Sequence, residues 1–400
     1  MKIRAKMYKI ILLLAVVVFL FSFISCKDAG AQEELEKLET ETLEEADSKS
    51  QEQNEQKVEE AEEEEGEEII AEETEKELSP TIVGSLYIQG QTEKVIVIEN
   101  YAYVGGQGLK IIDITDKTSP TIIGNSDTFD WVYNFQIEED CVYFPYQEWD
   151  NDNNIIGRGL KTIDITDRNN PILRETFESD ANIESLSVIE NYIYATYAVW
   201  EEKEENSFEF VKGGIKIIDV TDKDNIVEIK EIDRGQLGIS YIYSKGDYAY
   251  IFEGGNFVIL DITDRENPQD IGNLIIPSSG WVRNFFIEGD YVYLPSGDSL
   301  RIIDIKDKTN PTIIGRGFIK DGVSDISVYG DYAFITYVVR DENYNPKESG
   351  MQVIDIVDKT TPKVVADIEI EGEALGISAE EKHVHIGAGQ AGLKIVKLFN

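Results

Sequence analysis

The chain has 400 residues, a formal net charge of -41 and a hydrophobic share of 42%. That share is enough for a core, but the charge excludes most nucleic-acid and anionic-surface roles, because those need a basic footprint. Cys26 and Cys141 are the two cysteines, so no disulfide framework is available.

Lys2, Arg4, Lys6 and Lys9 make a basic start, followed by a nearly unbroken apolar run over residues 10–24. The run is shorter than a comfortable bilayer span. It ends in Phe23, Ile24, Ser25 and Cys26, a quartet that resembles a bacterial lipoprotein signal. The resemblance implies removal of residues 1–25 and lipidation of Cys26, which would be the chain's link to a membrane. The alternative is an uncleaved N-terminal anchor, and either reading puts the rest of the chain outside the cytoplasm.

Residues 26–79 form an acidic tether. Between residues 27 and 80 there are 23 acidic and 5 basic side chains and no aromatic one. Such a segment buries too little apolar area to offset its chain entropy, so it is expected to be disordered, and like charges expand it further. A flexible coil of this length spans about 40 Å. It reads as a spacer rather than a calcium collector, because unfixed carboxylates bind weakly. Residues 81–400 still carry about -27.

From Pro80 onward, runs of Tyr, Ile and Val alternate with Gly, Asn, Asp and Pro, which is a strand-and-turn pattern. In the first unit, strand a is 94–98, strand b is 101–104, strand c is 109–115, and strand d follows Pro120. The strand-c motif Leu-Lys-Ile-Ile-Asp-Ile-Thr-Asp over 109–116 recurs at 160–167, 215–222, 257–264, 300–307 and 351–358, with a last copy at 393–399. The shortest spacings, Asp219 to Asp261 and Asp261 to Asp304, are 42 and 43 residues, the size of a propeller blade. Strands a, b and c occur seven times. The inner strands of blades two and five are expected over 132–137 and 282–287. A strand-d sequence without a blade of its own precedes the first repeat, as segment 81–88. The expected fold is therefore all-β: a seven-bladed propeller of four-stranded antiparallel blades over residues 80–400. Segment 81–88 should close the ring by pairing with the last blade.

The Tyr-x-Tyr-Val strand of residues 101–104 followed by the Gly-Leu-Lys-Ile-Ile-Asp-Ile-Thr-Asp motif from Gly108 looks like the LVIVD-repeat family of extracytoplasmic β-propellers. The YVTN-type propellers are a weaker resemblance. The LVIVD resemblance implies a bacterial surface location, and it carries no catalytic residue over to this chain.

The aspartate pairs such as Asp113 and Asp116 suggest metal ligands, but Asp and Thr in a tight turn accept bonds from backbone N–H groups two residues on, and that reading is the better one. His383 and His385, two apart on a strand, lack a third ligand for zinc. Cys141 reads as a small buried hydrophobe. No nucleophile motif, phosphate loop, metal site or cofactor motif is present.

Function is legible mainly as position. Three long b–c insertions, over 147–158, 200–212 and 340–350, fall on the face that also carries the d–a connections. Trp131 and Trp281 lie in d–a connections, with Trp149 and Trp200 in or beside b–c loops. Insertions on one face of a repeat protein often mark a binding face, and tryptophan suits protein, peptide or glycan ligands. Blades two and five repeat each other there, as Trp131, Tyr133 and Asn134 beside Trp281, Arg283 and Asn284, which suggests a three-blade duplication. The alternative is that these tryptophans pack between blades. The expected function is a monomeric binding module with an unknown ligand. The second hypothesis is an extracytoplasmic enzyme with a site at the central channel mouth.

Overall fold

Strand c of each blade is mostly apolar because both of its faces are covered, and even its polar positions, such as Lys216 and Gln352, are buried. Leu109, Ile111 and Ile112 in the first blade are each 0% exposed. A strand buried between two neighbouring sheets needs no alternation of polar and apolar residues. The computed structural model describes residues 77–399 apart from 127, 129–130, 153–154, 205–206 and 278–281. Cys26, the acidic segment up to Lys76, and Trp281 lie outside the described residues.

The strands pair into seven four-stranded antiparallel sheets, arranged as a seven-bladed β-propeller. In the first six blades the order from the channel outward is a, b, c, d; blade one, for example, runs Thr92–Ile98, Tyr101–Gly106, Gly108–Asp113 and Thr121–Asn125. The seventh takes its inner three strands from the end of the chain and its outer strand, Leu78–Leu86, from the beginning. Leu86 faces Leu393 and Ser85 faces Lys394 in that closing pair. Closure removes the free edge that an open stack of sheets would expose.

The core lies between blades rather than within them. Tyr103, Leu109 and Ile111 of blade one pack on Val132, Phe135 and Phe144 of blade two. Across the closure, Leu393 and Ile395 pack on Val95 and Val104. Cys141 is buried in one such layer, and burial pushes its thiol pKa up.

The aspartate pairs are turn builders. Asp113 Oδ1 accepts the Thr115 N–H at 2.8 Å, and Asp116 Oδ1 accepts the Thr118 N–H at 2.9 Å. The same bonds recur down to Asp355 with Val357 at 2.9 Å and Asp358 with Thr360 at 2.9 Å. Hydrogen bonds from the threonine hydroxyls first, and from these N–H groups next, hold the Asp113, Asp116 and Asp358 carboxyls below the usual range, Asp358 at about 2.

Two expectations needed correction. The three insertions are extended β-hairpins rather than loops: Cys141–Trp149 pairs with Ile155–Asp164, Tyr192–Glu204 with Ser207–Asp219, and Tyr332–Arg340 with Pro346–Asp355. The inner strands of blades two and five are also shorter than expected, Gln136–Glu138 and Phe286–Glu288. Register explains this. Gln136 faces Tyr143 and Phe286 faces Tyr293, so two positions further the ladder would reach Pro145 and Pro295, opposite Asn134 and Asn284. Proline supplies no N–H to the ladder. Val132 turns instead to blade one, its N–H donating to the Gly106 carbonyl at 2.7 Å.

Candidate ligand site at the channel mouth

The inner strands leave N–H groups facing the next blade, and short side chains satisfy several of them. Ser187 Oγ accepts the Ser244 N–H at 2.8 Å, Ser327 Oγ the Ala379 N–H at 3.1 Å, and Ser378 Oγ the Val97 N–H at 3.2 Å. The wall of the channel is thus stitched blade to blade. Asn134 and Asn284, released from their own ladders, join the stitching. Asn134 Nδ2 donates to the Glu184 carbonyl at 3.4 Å, and Asn284 Nδ2 to Asp325 Oδ1.

Above this wall, on the face of the d–a connections and b–c hairpins, lies a cavity of about 1120 Å³. The inner-strand segments of all seven blades line it, from Glu93 and Lys94 of blade one to Leu375 of blade seven. The extended hairpin of blade three adds Trp200 and Phe210, whose rings meet edge to face at 5.3 Å. A second cavity of about 580 Å³ shares Arg283, Asn284, Asp325 and Arg340 with the first and runs out between blades five and six toward Tyr344.

Of the residues singled out in the sequence, Tyr133, Asn134, Trp200, Arg283 and Asn284 line the main cavity together. Trp131 is 45% exposed and its side chain hydrogen-bonds Glu93, a lining residue. Trp149 stands on the blade-two hairpin, 54% exposed, and is not part of the lining.

Sequence reasoning missed the charged residues of the inner strands: Glu93, Lys94, Glu184 and Asp325. Their signal was a polar residue just ahead of the apolar core of strand a. Asp325 is buried and its oxygens are occupied: Oδ1 accepts from Asn284 and from the Ile326 N–H at 2.9 Å, and Oδ2 from the Ile377 N–H at 3.1 Å. Lys94 lies near it with no hydrogen bond or ion pair among the described residues. Burial pulls the Lys94 ammonium pKa down, but the Asp325 carboxylate and Tyr241 raise it by more, so the group stays charged. Arg283 likewise has no ion-pair or hydrogen-bond partner among the described residues. Arg340 is occupied, bonding Glu373 and the Tyr344 carbonyl.

Burial raises the pKa of both Glu93 and Glu184, the first being drawn back by Trp131 and Arg283. Between them Tyr133 is pushed up to about 12, by burial first and then by Glu184 and Glu93. Burial also raises Tyr241. Both phenols are therefore protonated at neutral pH and can donate hydrogen bonds. Among the described residues no group of three or more His, Cys, Asp and Glu side chains could hold a metal ion.

Residues 89–128, 241–274, 279–317 and 322–368 match the LVIVD repeat. No curated protein matches the chain. Among solved structures, the chain is similar to a computationally designed protein, Ika8, at 13% identity and a TM-score of 0.54, covering 79% of this chain and 99% of that one. At that identity the likeness concerns the fold alone.

Proposed function

Because the chain belongs to the LVIVD-repeat family, we propose that its propeller is a binding module whose ligand sits in the channel mouth. The observation that carries this reading is the convergence of all seven inner-strand segments on one cavity of about 1120 Å³. That volume is at the upper end of small-molecule sites, and its mixture of aromatic walls with a few placed charges is what such sites use. We further propose, from the signal-like start, that Cys26 carries a lipid, that the acidic segment is a tether, and that the propeller works outside the cytoplasm.

A thermal-shift screen of the protein against amino acids, peptides, sugars and nucleotides tests the reading. A ligand should raise the melting temperature of the wild type and lose most of that effect in Trp200→Ala and Tyr133→Ala, which leave the blades' cores intact. Equal shifts in wild type and both variants would move the site elsewhere.

A second reading, an enzyme, draws on the raised pKa values of Glu93 and Glu184, since a carboxyl lifted by burial is suited to acid–base work. Turnover of the screened ligand, abolished by Glu184→Gln with binding retained, would favour it.

A further inference from the structure

In the first six blades the third residue of strand b is a buried aromatic: Tyr103, Tyr143, Tyr194, Tyr250, Tyr293 and Phe334. In the seventh it is His385, 0% exposed. A phenol at this position can reach the turn of the next blade. The Tyr103 hydroxyl accepts from Arg168 Nε at 2.9 Å, and the Tyr194 hydroxyl donates to the Arg265 carbonyl at 2.8 Å. An imidazole is shorter. Neither ring nitrogen of His385 makes a hydrogen bond of ordinary geometry among the described residues. A buried polar group in that state is costly, and a charged one more so.

His385 stands at the one join of the ring that the chain itself does not make. Strand Leu78–Leu86 runs through residues 87–91 into blade one, so the inner three strands of blade seven are held to it by pairing and packing alone. That closing pair has two register shifts, where the outer pair of each other blade has one. His385 lies opposite Ser378, whose Oγ accepts the Val97 N–H of blade one, so the imidazole faces the seam. Lys117 of blade one crosses the seam to Glu380 Oε1 at 2.6 Å, and the same oxygen is 3.7 Å from His385 Nε2. His383 is on the same face of the strand as His385, with Glu381 and Lys397 beside it. The blade-one strand packed there, Thr92–Ile98, presents the Val97 amide and no charge to the imidazole.

We propose that this seam is an acid-operated latch. A proton taken up by His385 sets an imidazolium against Lys117 for one carboxylate oxygen in a dry interface. Parting the inner strands of blade seven from Leu78–Leu86 and from blade one lets water reach both cations. Burial and Lys117 keep the closed form unprotonated at neutral pH, so proton uptake and opening are coupled. The matching positions of the other blades hold a phenol or a phenyl ring, which takes up no proton in this range.

Hydrogen exchange of the full chain, read by mass spectrometry at pH 7.5 and pH 5 and corrected for the intrinsic rate, tests this. The opening equilibrium of Leu78–Leu86 and Leu393–Phe399 should rise about thirtyfold between the two, the change expected for one imidazole titrating near 6.5. The corresponding pair of blade five, Ser299–Asp304 with Thr312–Phe318, should stay nearly constant. His385→Phe, the residue that blade six carries there, should abolish the response of the seam while leaving it closed at both pH values. His385→Leu, which is smaller, makes the same test should phenylalanine overpack the site. An unchanged seam at pH 5 would overturn the proposal. So would a loss of protection shared equally by all seven blades, or a seam that opens in both variants as it does in the wild type.

Discussion

Gly124 of blade one and Arg168 of blade two meet backbone to backbone: a Cβ on Gly124 would stand 2.0 Å from the Arg168 carbonyl oxygen. The same approach joins Gly84 to Lys117, Gly272 to Lys308 and Gly315 to Lys359. The glycine of the Thr-Ile-Ile-Gly strand thus receives the aspartate turn of the next blade, and for Gly84 that contact also crosses the closure. Gly124→Ala should therefore lower stability by about 1–3 kcal/mol, the range for overpacking a tight site. Urea denaturation measures this. Gly246→Ala is an informative contrast: it has open space around it but a φ of +60°. Its cost should come from backbone strain alone and leave blade packing unchanged.

His385 ties stability to pH. It is 0% exposed, and burial, followed by the nearby Lys117, lowers its pKa to about 3. Glu380 does little to offset this, because its carboxylate is held by Lys117 at 2.6 Å. In the unfolded chain the imidazole titrates near 6.5. Between pH 6.5 and 3 the unfolded state therefore binds a proton that the folded state refuses. The stability from this group is complete above about pH 6.5 and is lost as pH falls. From pH 6.5 to 5 the loss should be about 2 kcal/mol. His385→Leu should flatten the wild-type slope in that window; an unchanged slope would place the effect on other groups.

Lys216 in blade three is buried with its ammonium 3.0 Å from each of Asp180, Glu228 and Glu231. Tyr197 and Lys212 also donate to Glu231, at 2.7 and 2.9 Å, and the Glu231 pKa is lowered to about 2 despite the opposing effect of burial. Removing the ammonium leaves carboxylates crowded together with fewer donors. Lys216→Met should cost about 3 kcal/mol, the lower end for breaking a buried pair, because Glu228 and Glu231 keep some solvent. Glu231 stabilises above its unfolded pKa near 4.3, and that contribution is lost as pH falls toward 2. In Lys216→Met the folded pKa of Glu231 rises back toward its unfolded value, so the fall of stability between pH 5 and 3 should flatten, which equilibrium unfolding in that window would read.

The blades were legible because each strand carries its own signal. Strand c is mostly apolar, the aspartate turn has a fixed spacing, and the orphan strand ahead of the first repeat announced the closure. The hairpin extensions were harder. Residues 200–212 are rich in glutamate, and an exposed two-stranded ribbon with charged flanks looks like a loop when read by hydrophobicity. The short inner strands of blades two and five needed register, since Pro145 and Pro295 stop a ladder at Asn134 and Asn284, on a neighbouring strand. The aromatic side of the mouth could be guessed from Tyr133 and Trp200. Its charged floor could not, because Lys94 and Asp325 are far apart in the chain and only ring closure brings them to one channel.

The most direct test of the account is a crystal structure of the protein with the best ligand from the thermal-shift screen. Ligand density is expected in the channel mouth, in contact with Lys94 and Tyr133 and beneath the Trp200 hairpin. Density on the opposite face, among the aspartate turns, or only along the outer hairpins with the mouth unoccupied, would contradict it.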